Sequence, residues 1–140
     1  MRRSILTFLI AVLFAPMVVV AQNATLFFYR PSRFVGSKLK PSVYIDGREV
    51  ARLASGRYFS IEVTPGSHKI ESSMKNRPAV PIDVKPGSTS YFEMEILSGT
   101  WRGGGEIVPA EESAAKEAMG KLKPLDAKWI YGSGTPTPKP

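Results

Sequence analysis

The chain has no cysteine, a single histidine and, beyond its first 20 residues, no long apolar run. Without cysteine there is no thiol nucleophile, no disulfide and no sulfur ligand, so the fold must be held by its core alone. The same absence removes the residue that bacterial lipoprotein processing would modify, and no lipid anchor is expected. A lone imidazole, His68, falls short of the several His or Cys ligands that a zinc site draws on. No metal and no cofactor is expected. There is no G-x-S-x-G elbow around any serine, and Gly103-Gly104-Gly105 lacks the Lys-Ser/Thr that would follow in a phosphate loop. A flexible hairpin or bulge is the simpler reading of that glycine run.

What is present begins with an address. Arg2 and Arg3 precede an apolar stretch from Ile5 to Val20, and Val19-Val20-Ala21 supplies small residues for cleavage. That order is a signal peptide over residues 1–21, cleaved after Ala21. The apolar stretch is short of the about 20 residues that span a bilayer comfortably. The paired arginines are followed by Ser4-Ile5-Leu6, a poor match to a twin-arginine signal, so general secretion is the expected route. The protein is therefore expected to be exported, periplasmic or extracellular. Its formal net charge of +7 favours anionic phosphates, sugars and lipid head groups as first contacts, with weak membrane-surface association at most. Neither the leader nor any recognised motif supports nucleic-acid binding.

The remainder, residues 22–131, reads as one domain of strands. Ala24 to Arg30 is apolar on both faces, as an interior strand would be. Phe59, Ile61 and Val63 share a face, as do Val80, Ile82 and Val84, and Phe92, Met94 and Ile96. Asp46-Gly47 suits a two-residue hairpin that needs positive φ. Pro65-Gly66 and Pro86-Gly87 suit type II turns. The similar settings of these two Pro-Gly pairs need no repeat architecture. One helix is predicted from about Pro109 to Leu122. Pro109 suits its first turn, Glu112–Lys116 and Glu117–Lys121 have the favourable spacing, and Ala114, Ala118 and Leu122 form a stripe with Ala115 and Met119 beside it. Residues 132–140, rich in proline, are expected to be disordered. The predicted class is mainly β: an antiparallel β-sandwich with one C-terminal α-helix.

Five segments in order, Tyr29-Arg30-Pro31, Phe34-Val35-Gly36, Val43-Tyr44-Ile45-Asp46-Gly47, Gly56-Arg57-Tyr58-Phe59 and Pro65-Gly66-Ser67-His68, carry a resemblance. Through them the chain resembles, over roughly residues 24–124, the bacterial family called domain of unknown function 2846, small exported proteins and lipoproteins. It is more distantly similar to PEGA-type surface modules, whose DG…PG rhythm accompanies a β-sandwich. The resemblance implies a fold and an envelope location, and it brings no established activity with it. The chain departs from the lipoprotein members in lacking the lipobox cysteine.

The candidate chemistry is sparse. His68 has no Ser or Asp at a spacing that marks a triad, so no catalytic residue is assigned. Glu93 and Glu95 could join Glu106 around calcium, but their alternation with apolar neighbours is that of a solvated face. Trp101, Trp129 and Tyr131 could meet a glycan or protein, with packing over the sheet ends the plainer role. Arg30, Arg33, Lys38 and Lys40 form the binding candidate: a basic loop, interleaved with Tyr29, Phe34 and Gly36 and longer than a hairpin needs.

The expected function is thus an exported, non-catalytic envelope or secreted binding module that contacts a protein or an anionic envelope component. The alternative is a passive structural or assembly component that pairs through a sheet edge. A small hydrolase is the third reading and would need His68.

Overall fold

In the computed structural model the chain is described over residues 21–73, 78–96 and 105–132. The predicted leader, apart from Ala21, lies outside the described residues, as do the tail beyond Gly132, Trp101 and the first two glycines of the 103–105 run. Among the described residues no helix is long and apolar enough to cross a membrane.

Among the described residues nine strands form two sheets. They are β1 (Ala24–Arg30), β2 (Ser42–Ile45), β3 (Arg48–Arg52), β4 (Arg57–Val63), β5 (Gly66–Ser72), β6 (Val80–Val84), β7 (Thr89–Ile96), β8 (Gly105–Ala110) and β9 (Lys123–Pro124). One sheet has the order β8-β7-β1-β4-β9 and the other β3-β2-β5-β6. Most pairings are antiparallel, and β1 with β7 and β4 with β9 are parallel. The fold is the predicted one, mainly β with two packed sheets and one helix, α1 (Glu112–Gly120).

β1 is central in the larger sheet and buried along most of its length, which explains why its sequence has no polar alternation. Leu26 and Phe28 face the other sheet. Phe28 stacks on its register partners Phe59 and Phe92, with ring centroids 5.1 and 5.3 Å apart. Each such side chain removed from water stabilises the fold by roughly 2–3 kcal/mol. Phe27 and Tyr29 point the opposite way and pack with Tyr58 and Tyr91 beneath Ala115 and Met119 of α1. Two-sided apolarity therefore reflects two different partners, a sheet and a helix.

Two expectations shift. The helix begins at Glu112, not Pro109, because Pro109 and Ala110 still pair with Phe92 and Tyr91 as the end of β8. It ends at Gly120, and Lys123-Pro124 forms β9 instead of merely stopping the helix. Its buried stripe is centred on Ala115 and Met119, with Ala118 and Leu122 at the border and Ala114 exposed. The Glu112–Lys116 and Glu117–Lys121 pairs form as spaced, at 2.5 and 3.5 Å.

The second shift concerns the Pro-Gly pairs. Pro65-Gly66 leads from β4 into β5, whose first residue is Gly66, and Pro86-Gly87 lies between β6 and β7; in each case the flanking strands belong to different sheets. Both pairs, expected as type II turns, are corners where the chain changes layer. Only the second closes a hydrogen-bonded turn, from the Ser88 N–H to the Lys85 carbonyl at 3.1 Å. Asp46-Gly47 is the hairpin expected, with φ of 52° and 78°.

Candidate functional site

The loop from Pro31 to Pro41 joins the end of β1 to the start of β2 and so crosses from one sheet to the other. It contains Arg33, Lys38 and Lys40 and no acidic residue. Its shape is set by Arg30, the last residue of β1. The Arg30 side chain is buried, 2% exposed, and donates to three carbonyls: Leu39 at 2.6 Å, Gly36 at 2.5 Å and Leu53 at 3.2 Å. Two of these acceptors lie inside the loop and the third on the segment after β3. Burial pulls the guanidinium below its usual pKa, yet arginine stays charged in proteins. The charge is thus stabilised by backbone dipoles and serves as a clamp. Arg30 must be withdrawn from the anion-binding cluster, because its N–H groups point inward to the carbonyls that hold the loop.

The clamp is helped by Gly36. Its φ of 74° is in the left-handed region, and a Cβ there would come 2.9 Å from Ile96 Cγ2. Backbone bonds from the Ser37 N–H to Phe34 O and from the Leu39 N–H to Gly36 O turn the chain within the loop. At the resulting tip stand Phe34 and Val35, 96% and 61% exposed, the large apolar side chains most open to water among the described residues.

The remaining candidates separate. Arg33 and Lys38 are exposed. Lys40 is partly occupied, lying 4.6 Å from the centroid of the Trp129 ring, with Lys128 at 5.8 Å from the same ring. Trp129 is itself packed against the core, and the Tyr131 N–H donates to Val50 O at 2.7 Å, so both aromatics cover a sheet edge. Two cations invisible as neighbours in the sequence reach the same end of the larger sheet. Arg57 is the register partner of Arg30, and Lys123 of Arg57. The Arg57 guanidinium donates to Pro124 O at 3.3 Å.

The acidic and imidazole alternatives come out differently. Glu93 accepts the Tyr29 hydroxyl at 3.0 Å, and burial followed by this carboxylate pushes the phenol up to about 12. Glu95 stands opposite Glu106 across β7 and β8. Among the described residues no group of three or more His, Cys, Asp or Glu side chains could hold a metal ion. His68 Nδ1 is 2.6 Å from Asp46 Oδ2 and Nε2 is 2.7 Å from the Thr64 carbonyl. Both partners are acceptors, so the protonated ring is the form that satisfies both contacts at once. Its pKa is raised, first by the Asp46 bond and then by the Thr64 bond. An imidazole so committed has no lone pair with which to take a proton.

Two packed sheets with one helix laid on the larger make this a small, mainly β protein, with a cationic, apolar-tipped loop clamped at one end. The chain belongs to the family described as protein of unknown function (DUF2846), which matches residues 20–105. It is 30% identical over 102 residues to an uncharacterized protein of Haemophilus influenzae (strain ATCC 51907 / DSM 11121 / KW20 / Rd), a match covering 71% of this chain and 60% of the relative. The chain thus spans less than two thirds of that relative's length. No solved structure matches the chain significantly.

Two features of this site escaped sequence reasoning. The exposed tip had a signal: two adjacent large apolar residues inside an otherwise polar, turn-rich loop break the usual patterning. The burial of Arg30 had a fainter one, a lone charge ending a run of apolar residues.

Proposed function

We propose that the protein is an exported, non-catalytic binding module that meets an anionic partner through the loop between β1 and β2. The observation that carries this reading is the combination at one loop of a buried arginine clamp and an outward tip. The clamp occupies one cation with the shape of the loop, and Arg33 and Lys38 remain turned to solvent around it. Loops held on a rigid sheet are where binding residues concentrate, and a preformed loop loses little entropy on binding.

The other readings draw less support. A hydrolase built on His68 would need a free imidazole nitrogen, and both are taken. Pairing through a sheet edge would need open amides. β6 carries Pro81 and β8 carries Pro109, neither with an N–H to offer. β3 is bridged from Ala51 to Ile130, and the start of β4 is covered by β9.

The test uses dextran sulfate as a soluble polyanion. Replacing Arg33, Lys38 and Lys40 together by Gln should weaken its binding at low salt by about tenfold or more, and salt should abolish the difference. Tm should move little, since exposed charges contribute little to stability. Unaltered affinity in the triple variant would sink the reading.

A further inference from the structure

Resting on that reading, we infer that the anionic partner is a lipid surface, with Phe34 and Val35 entering the head-group region and Arg33 and Lys38 lying against lipid phosphates. The apolar tip decides between kinds of anion. A soluble polyanion would engage the cations and leave a 96% exposed Phe34 without a role. A protein partner forms a stable contact over about 800 Å² per side, and two protruding side chains are a poor centre for such a patch. A lipid interface asks for neither a complementary shape nor a wide contact. It accepts a small apolar wedge ringed by cations, with affinity from buried apolar area plus attraction to anionic head groups.

Four observations fit that use. The wedge is held in place before contact, because Arg30 fixes the carbonyls of Gly36 and Leu39 on either side of the following turn. The loop has no carboxylate to repel a phosphate. The nearby acids of the larger sheet, Glu93 and Glu95, share the helix-bearing face with Tyr29 and Tyr91, whereas the loop leaves that sheet for the other one. Arg57 and Lys123 sit at the same sheet end and extend the cationic rim.

Because the chain has no cysteine, one introduced thiol reports from one place. In the full chain, Ser37→Cys carrying the fluorophore NBD places the probe beside the tip. Lys85→Cys places it at the opposite end, where the β6–β7 corner meets the start of β1 through the Thr25 N–H to Ser88 O bond. A leader that itself entered lipid would act equally in both, so only a difference between the two positions counts. With vesicles of phosphatidylcholine and phosphatidylglycerol at 70:30, position 37 should shift to the blue and brighten while position 85 stays unchanged. The double change Phe34→Ser and Val35→Ser should abolish that shift and weaken tip partitioning about tenfold. Removing Arg33 or Lys38 by Gln should weaken it about fivefold each at low salt.

A probe at position 37 that stays in water on these vesicles overturns the inference, as does an equal shift on phosphatidylcholine alone or an unchanged shift in the double-serine variant. If the probe stays silent while dextran sulfate binding still depends on Arg33, Lys38 and Lys40, the lipid surface is lost and the anion-binding reading survives. If both fail, both are lost.

Discussion

The two ends of the sandwich use their charged residues in opposite ways. At the end holding the Asp46-Gly47 turn, Asp46 and His68 serve each other. Asp46 accepts from His68 and, through its other oxygen, from the Lys69 N–H at 2.8 Å, while His68 also donates to Thr64. At the other end a buried cation, Arg30, is drawn into backbone carbonyls and its neighbours Arg33 and Lys38 face water. A closed set of donors and acceptors fixes a turn, whereas one buried clamp fixes a loop and leaves its other cations available. The contrast separates architecture from presentation within residues of the same chemical type.

The largest effect expected from breaking that contrast is at Arg30. Arg30→Met removes the donors from one buried and two partly buried carbonyls, and hydrogen bonds to a charged group contribute about 1.5–3 kcal/mol each, with losses not additive. We expect a fall of about 3 kcal/mol in denaturant unfolding free energy. Arg33→Gln or Lys38→Gln should stay within about 0.5 kcal/mol, as exposed substitutions do. Equal losses at Arg30 and Arg33 would erase the distinction between clamp and tip.

A middle-sized effect compares the glycines of the two ends. Gly36 and Gly47 have similar φ, 74° and 78°, but a Cβ at Gly47 meets nothing within 4 Å and one at Gly36 meets Ile96 Cγ2 at 2.9 Å. Gly47→Ala should therefore show backbone strain alone, about 1 kcal/mol. Gly36→Ala should add the displacement of a packed side chain and reach about 2 kcal/mol. Chemical denaturation of the two variants side by side measures the difference; a smaller loss at Gly36 would mean that the loop is not seated on the end of β7.

Much of the scaffold was legible because its signals are local. The apolar run of β1, the alternation of β4, β6 and β7 and the Asp46-Gly47 turn each follow from strand pleat and allowed φ at single residues. The exceptions share a cause. Pro109 suits the first turn of a helix and the end of an edge strand equally well, and only pairing with Phe92 decides. Pro65-Gly66 has the same turn chemistry whether it reverses a hairpin or changes sheets. At the candidate site, Arg30 adjoins Arg33 in sequence and parts from it in burial, while Arg57 and Lys123 come together solely through the pairing of β4 with β9. Which cation is buried depends on what a distant strand places over it, and no local pattern carries that.

The smallest expected effect tests whether the Asp46 end really is closed on itself, through pH. The folded pKa of His68 is raised by Asp46 and Thr64, so between its ordinary value near 6.5 and that raised value the folded state binds more protons than the unfolded one. Stability from this group is then complete below about pH 6.5 and is lost as pH rises through the folded pKa. Asp46 runs the other way: held low by the His68 and Lys69 bonds, it stabilises above its ordinary value near 3.9 and loses that as pH falls through the folded pKa. The pair is at its best between these limits. Its carboxylate is half exposed and screened by water, so the effect on Tm from pH 6 to pH 9 should be on the order of 1–2 °C downward. His68→Gln should remove that slope, because glutamine keeps a donor but does not titrate. A wild-type slope that persists in the glutamine variant would place the titrating group elsewhere and break the picture of Asp46 and His68 spent on each other.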